Sequence, residues 1–161
     1  MKKVYLDRTK YTDCMAVYVR DAQVENAGAT VYAMPVKDKN DAYERFAQEH
    51  GIWFIFADDV PQIAFFAVPQ VDVFAHDGAG GYIGMAGQTA DLQSDAPVVY
   101  IDAQRRVYML AERGAEFVAN AGNWREKLVP WEGIRLYNSR EEAEKDIEFL
   151  ELSDEGLPAQ V

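Results

Sequence analysis

Two aspartates and a histidine in the middle of the chain could do chemistry. Asp72, His76 and Asp77 combine carboxylates with an imidazole over a short apolar stretch. Side chains alternate between the two faces of an extended strand, so Asp72 and His76 are expected on the same face. Such a pair could bind a divalent ion weakly or share a proton. The residues equally fit a structural role, in which Asp72 faces solvent and Asp77 accepts backbone amides in a turn.

Other catalytic patterns lack support in the sequence. The glycines of residues 78–84 do not form a nucleotide-binding loop, because Ile83 stands where the third glycine of the dinucleotide motif belongs and no Gly-Lys-Ser or Gly-Lys-Thr is present. No serine has a Gly-x-Ser-x-Gly context. Cys14 is the one cysteine, which excludes an intramolecular disulfide and a cysteine-based zinc motif. The sequence therefore predicts a protein that is not an enzyme and needs no metal or cofactor.

Charge and hydropathy narrow the classes of partner. The chain has 161 residues, with 27 acidic against 16 basic side chains and a net charge of −11. Such a surface repels nucleic acid phosphates and anionic lipid headgroups, and it suits a basic protein partner. No stretch resembles a signal peptide or approaches the length of a membrane span. We expect a cytoplasmic protein; the sequence gives no oligomeric state.

The apolar pattern predicts an α+β fold in which strands outnumber helices. The segments rich in β-branched and aromatic residues predict strands at 14–20, 30–36, 53–57, 63–68, 71–75, 97–101, 106–110 and 134–137. A turn at residues 77–81 leads from one central strand to the next, which begins at Tyr82. The short turns favour a mostly antiparallel sheet with helices on one face or at its ends.

Local signals place three helices. Asn40 or Asp38 is expected to cap a helix over residues 37–51, and Gly51 stands where a terminal glycine belongs. A second helix is expected at 111–128, broken near residues 122–123. A third begins with the capping box Ser139-Arg-Glu-Glu and ends near residue 152. The whole chain, 1–161, is predicted to be one domain. Residues 1–36 would extend the sheet or form a hairpin, and 153–161 would be a flexible tail.

Three segments resemble a known superfamily. Residues 68–82, an apolar strand running into a Gly-Gly turn, are similar to the central segment of the Smi1/Knr4 (SUKH) superfamily. Residues 96–102 resemble its next strand, and 108–118 resemble its strand-to-helix step, with Arg113-Gly114 in place of Ser-Phe. The resemblance implies a bent, mostly antiparallel sheet flanked by about three helices. It also implies an immunity protein that neutralises a polymorphic or contact-dependent toxin, often a nuclease, by direct binding.

The sequence also suggests where a partner would bind. Aromatic residues exceed what one face of a small sheet needs, so either both faces are covered or one exposes aromatics. The residues predicted to contact a basic toxin share a position near the central turn: Asp72, Asp77, Tyr82, Asp91 and Asp95. Two alternatives stay open. One is a small-molecule or metal-binding protein, or a hydrolase, using the Asp72, His76 and Asp77 corner. The other is a regulatory scaffold.

Overall fold

The computed structural model describes residues 2–11, 17, 19–87 and 95–152. These residues form an α+β structure, which confirms the predicted fold class. The strands are β1 Lys2–Asp7, β2 Ala22–Ala27, β3 Ala29–Val31, β4 Trp53–Phe54, β5 Phe66–Val68, β6 Val71–His76, β7 Tyr82–Ala86, β8 Val98–Ile101, β9 Val107–Ala111, β10 Val129–Pro130 and β11 Arg135–Tyr137. The helices are α1 Asp41–His50, α2 Gly114–Asn120 and α3 Arg140–Ala143, with 3-10 helices at Val36–Asp38 and Ala121–Lys127.

A seven-stranded sheet forms the centre of the fold. Its strand order is β10-β9-β8-β7-β6-β3, and β4 also pairs with β6. Neighbours are antiparallel except β3 and β6, which are parallel. Strands β5 and β11 form a separate antiparallel pair. The sheet is therefore mostly antiparallel, as the sequence predicts.

Both faces of the sheet carry a core. On one face, Phe74 packs with Phe117 of α2 and with Trp124 of the following 3-10 helix. On the other face, Val73 packs with Phe65 and with Ile134, which belong to segments outside the helices. The surplus of aromatic residues is thus used mainly on two buried faces, and of the described aromatics only Tyr32 and Trp53 are exposed by more than a third.

A β-bulge in β6 changes which side chains share a face. Val73 pairs with Gly84 and Ala75 with Ile83, so Phe74 is an extra residue without a partner on β7. Asp72 lies opposite Met85, whereas His76 lies opposite Tyr82, which belongs to the other face. The expectation that Asp72 and His76 share a face is therefore wrong, because the extra residue inverts the alternation between them.

Within the first 36 residues, β3 extends the main sheet by pairing with β6, which is one of the two predicted alternatives. Strand β1 runs parallel to β2 in a small sheet of their own, and β3 follows after Gly28, whose φ is +115°. Most of the strand predicted at 14–20 lies outside the described residues. Strand β5 pairs with β11, while β6, two residues later, joins the main sheet.

The predicted caps at Asn40 and Ser139 and the predicted helix end at Gly51 are confirmed, whereas the third helix is shorter than predicted. Asn40 caps α1 through a bond from the Ala42 amide at 2.9 Å, and Gly51 ends it with a φ of +70°. The Ser139 hydroxyl accepts the Glu142 amide at 3.2 Å, yet α3 ends at Ala143 instead of near 152. None of the helices formed by the described residues is long and apolar enough to cross a membrane.

Gly84 lies where the sheet leaves no room for a side chain. A Cβ there would come within 2.8 Å of the Asp72 carbonyl oxygen and 3.0 Å of the Val73 Cα. We expect Gly84→Ala to lower the free energy of unfolding by about 1–3 kcal/mol in urea denaturation, because backbone must move to admit the methyl group. Gly122→Ala is the control, since its Cβ would meet nothing within 4 Å. Equal stability of the two variants would contradict the register of β6 and β7.

Candidate functional site

The turn between β6 and β7 is organised by a buried carboxylate. Asp77 is 9% exposed. Its Oδ1 accepts the backbone amides of Ala79 at 2.8 Å and Gly81 at 2.9 Å. Its Oδ2 accepts the Tyr100 hydroxyl at 2.5 Å and lies 3.7 Å from an Nη2 of Arg125. The carboxylate thereby ties the turn to β8 and to the 3-10 helix that follows α2.

These contacts determine the protonation states of Asp77 and Tyr100. Burial by itself would raise the pKa of Asp77, but the bonds from Tyr100 and the two turn amides, together with the Arg125 charge, outweigh it and hold the pKa below its ordinary value of 3.8. Burial and the neighbouring carboxylate raise the pKa of Tyr100 to about 12. Asp77 is therefore a charged acceptor and Tyr100 a neutral donor at neutral pH.

The same turn also supports the exposed side chain of Trp53. The His76 Nδ1 accepts the Gly78 amide at 3.0 Å, which fixes the ring. The Trp53 indole stacks on that ring with centroids 5.9 Å apart and planes 8° apart. A Cβ on Gly78 would lie 3.1 Å from the indole, so the two residues are in contact. Trp53 is nevertheless 42% exposed.

Asp72 is half-buried and bonds within the sheet. Its Oδ1 accepts the Thr30 hydroxyl at 2.9 Å, and the same hydroxyl oxygen accepts the Gln70 amide nitrogen at 2.8 Å. Burial raises the pKa of Asp72, and the Thr30 bond offsets part of that rise. This carboxylate is thus engaged between β3 and β6, on the opposite face from His76.

The remaining predicted residues are dispersed. Tyr82 is half-buried, with its ring centroid 6.1 Å from that of Phe65. Asp95 is exposed, and Asp91 lies outside the described residues. Of the five residues predicted to bind a partner, Asp72 and Tyr82 lie on opposite faces of the sheet and Asp77 is buried. Their role stays a prediction.

The Asp72, His76 and Asp77 corner does not assemble as a site. Asp72 and His76 face opposite sides of the sheet, and the Asp77 oxygens are used by the turn and by Tyr100. Within the described ranges, no group of three or more histidine, cysteine, aspartate or glutamate side chains could hold a metal ion.

A cavity of about 550 Å³ lies between α1 and β4, beside the central turn. We call it the acidic groove, and its volume suits a bound side chain or small ligand. Four of its lining residues are aromatic: Tyr43, Trp53, Phe54 and Phe56. Four others are exposed carboxylates: Asp41, Glu44, Asp58 and Asp59.

The aromatic floor of the acidic groove is held by edge-to-face contacts. The Tyr43 ring centroid lies 5.5 Å from that of Phe54 and 5.3 Å from that of Phe56, with interplanar angles of 71° and 79°. The chain's own Lys39 reaches in, with its Nζ 3.0 Å from Asp58 Oδ2 and 5.4 Å from the Phe56 ring centroid. The groove therefore already holds one ammonium group, that of Lys39, between a carboxylate and an aromatic ring.

Sequence reasoning missed the acidic groove. Asp58-Asp59 is a visible acidic pair, but pairs are expected by chance in so acidic a chain. Trp53 lies in a predicted strand, and strand position alone does not show that its indole is exposed. One signal was available in the sequence. Trp53 and Phe54 are adjacent in a strand and point to opposite faces, so one of them is exposed unless both faces are covered.

The chain was also compared with known proteins. Protein-family models, curated protein sequences and solved structures give no match to it. The SUKH resemblance of residues 68–82, 96–102 and 108–118 stays a prediction.

Replacing the buried carboxylate tests the turn network. Asn in Asp77→Asn still accepts the turn amides through its oxygen, but its nitrogen cannot accept the Tyr100 proton. We expect a loss of about 1–3 kcal/mol in the free energy of unfolding at neutral pH. Because the folded pKa lies below the ordinary value, the stabilisation is complete above that value and is lost as pH falls through the folded pKa.

The measurement is urea denaturation of both proteins from about pH 7 down to about pH 2, where the difference should shrink below about pH 4. Asp95→Asn, at an exposed aspartate, is the control and should change stability little. A stability difference for Asp77→Asn that is the same at every pH would contradict the charged role of this carboxylate.

Proposed function

We propose that this chain is a non-enzymatic protein-binding domain whose acidic groove receives a basic segment of another protein. The observation that carries the proposal is the composition of the groove, an aromatic floor rimmed by four carboxylates. Exposed aromatic residues surrounded by polar ones are typical of the energetically important centre of an interface.

The chemistry of the acidic groove favours a lysine or arginine side chain of the partner. A cation there would lie against aromatic faces and beside carboxylates, two favourable environments for it. Lys39 illustrates this geometry, since it already contacts both Asp58 and the Phe56 ring. A basic partner would also be attracted over a distance by the net charge of −11.

Trp53 is the expected anchor. Its indole is held on one side by His76 and by contact with Gly78, and it is open on the other. An aromatic side chain that is already oriented loses little conformational entropy on binding. It can therefore contribute contact area to a partner at low entropic cost.

The specific form of the proposal is an immunity function. It rests on the SUKH resemblance, which implies that the partner is a polymorphic or contact-dependent toxin such as a nuclease. The surface with which a nuclease binds nucleic acid is basic because it contacts phosphates, and an acidic surface complements it. A regulatory scaffold would use the same groove for another basic protein. The identity of the neighbouring gene separates these two, since immunity genes usually lie just downstream of their toxin.

Removing the Trp53 indole tests whether this side chain anchors the partner in the acidic groove. We expect Trp53→Ala to weaken binding about thirtyfold or more, as for a central aromatic residue in an interface. Affinity is measured by calorimetry with the basic protein captured from a lysate of the protein's own source, or with a synthetic Arg-Gly repeat peptide. Val118→Ala is the control, because Val118 is 61% exposed but lies on α2 outside the groove. Equal affinities for the two variants would rule out the groove as the docking site.

Removing two carboxylates from the acidic groove tests whether the groove attracts a basic partner electrostatically. Glu44 and Asp59 line the groove and have no ion-pair partner in the described part of the chain. We expect Glu44→Gln/Asp59→Asn to slow association about tenfold at low salt and to change dissociation less. The control is Glu112→Gln/Glu141→Gln, which removes the same charge from exposed positions outside the groove. If both double variants show the same rates and salt dependence, the attraction is a property of the net charge and not of the groove.

A further inference from the structure

A second cavity has the opposite charge character. It measures about 460 Å³, and we call it the arginine pocket. Arg105 and Arg135 line it together with one acid, Glu132, and its walls include Trp131 and Ile134. It shares no lining residue with the acidic groove. Two arginines converging on one cavity are unexpected on a chain with a net charge of −11.

Arg105 lines the cavity, and its guanidinium forms no ion pair with the described residues. It lies in the turn between β8 and β9, and its guanidinium Cζ lies 5.0 Å from the Phe65 ring centroid. The acid nearest in sequence, Asp102, is occupied by the Gln104 and Arg106 amides and by the Arg106 side chain at 2.7 Å. The Nη1 of Arg105 is buried and has no hydrogen-bond partner among the described residues. A buried donor on a charged group without a partner is unusual in a folded protein.

The backbone conformation at Arg105 is also unusual for an arginine. Its φ is +67°, a region that glycine and asparagine adopt more readily than arginine. The turn itself would therefore favour a smaller residue than arginine at this position.

Arg135 supplies the second cation. It is exposed, its Cζ lies 5.7 Å from the Tyr137 ring centroid, and no ion pair involves it within the described ranges. Guanidinium groups bind carboxylates and phosphates through two parallel hydrogen bonds. The single acid Glu132 leaves the pocket with a net charge of one positive unit. That balance suits a monoanion better than a phosphate dianion.

We propose that the arginine pocket binds a small organic carboxylate, whose carboxylate group contacts Arg105 and Arg135 and whose apolar body packs on Trp131 and Ile134. The cavity volume is in the range of small-molecule sites. This site is independent of the acidic groove and of any protein partner that binds there.

The test uses 3-phenylpropionate as the probe, with the neutral 3-phenylpropanol and the dianionic phenyl phosphate as comparisons. We expect saturable binding of 3-phenylpropionate by calorimetry and a shift of the Trp131 indole N–H resonance. Arg105→Asn, which tolerates the positive φ, and Arg135→Gln, at an exposed position, should each weaken binding about tenfold. Arg113→Gln is the control, an exposed arginine paired with Glu116 outside the pocket, and it should bind normally.

Three outcomes would overturn the proposal. One is the absence of saturable binding by 3-phenylpropionate. Another is equal binding of the neutral alcohol, or tighter binding of phenyl phosphate. The last is unchanged affinity in Arg135→Gln, whose exposed position makes a folding defect an insufficient explanation.

Discussion

The buried carboxylate of Asp77 is the interaction on which the site depends. A charge removed from water is tolerated only when hydrogen bonds and an opposite charge replace hydration. Here two turn amides, the Tyr100 hydroxyl and the Arg125 guanidinium do so. The same contacts fix the turn that carries Gly78, and the backbone of Gly78 orients His76, on which Trp53 stacks. The exposed indole of the acidic groove is therefore positioned by a side chain that has almost no contact with solvent.

The sequence predicts those parts of the fold that depend on neighbouring residues. The Asn40 cap and the turn at Asp77 are local: each needs only a short polar side chain and backbone amides within a few positions. The bulge at Phe74 was not predictable, since it exists only relative to its pairing with β7. The early end of α3 has a similar cause. Phe149 bridges to Tyr5 of β1, so the chain leaves the helix to add to the small sheet.

The candidate site was less predictable than the fold because it joins residues from three segments. Tyr43 lies on α1, Phe54 on β4 and Asp58 beyond β4, and no spacing rule relates them. The space between them arises because β4 is two residues long and pairs with the end of β6 beyond β3. The chain leaves the sheet at once, and α1 covers the aromatic residues only in part. By contrast, sequence reasoning predicted that Asp77 accepts turn amides, as it does, but not its bond to Tyr100.

Both candidate sites gather charges of one sign, four carboxylates in the acidic groove and two arginines in the arginine pocket. Elsewhere some charges are paired, as where Arg140 contacts three carboxylates. In the acidic groove, Glu44 and Asp59 face other acids without a cation of their own in the described residues. Like charges held together repel one another, and this repulsion lowers stability. The arginine pocket is the converse case, since Arg105 forms no ion pair with the described residues and its Nη1 has no hydrogen-bond partner among them. Each arrangement costs folding stability that binding of an opposite charge would restore, which is the physical argument for a ligand at both.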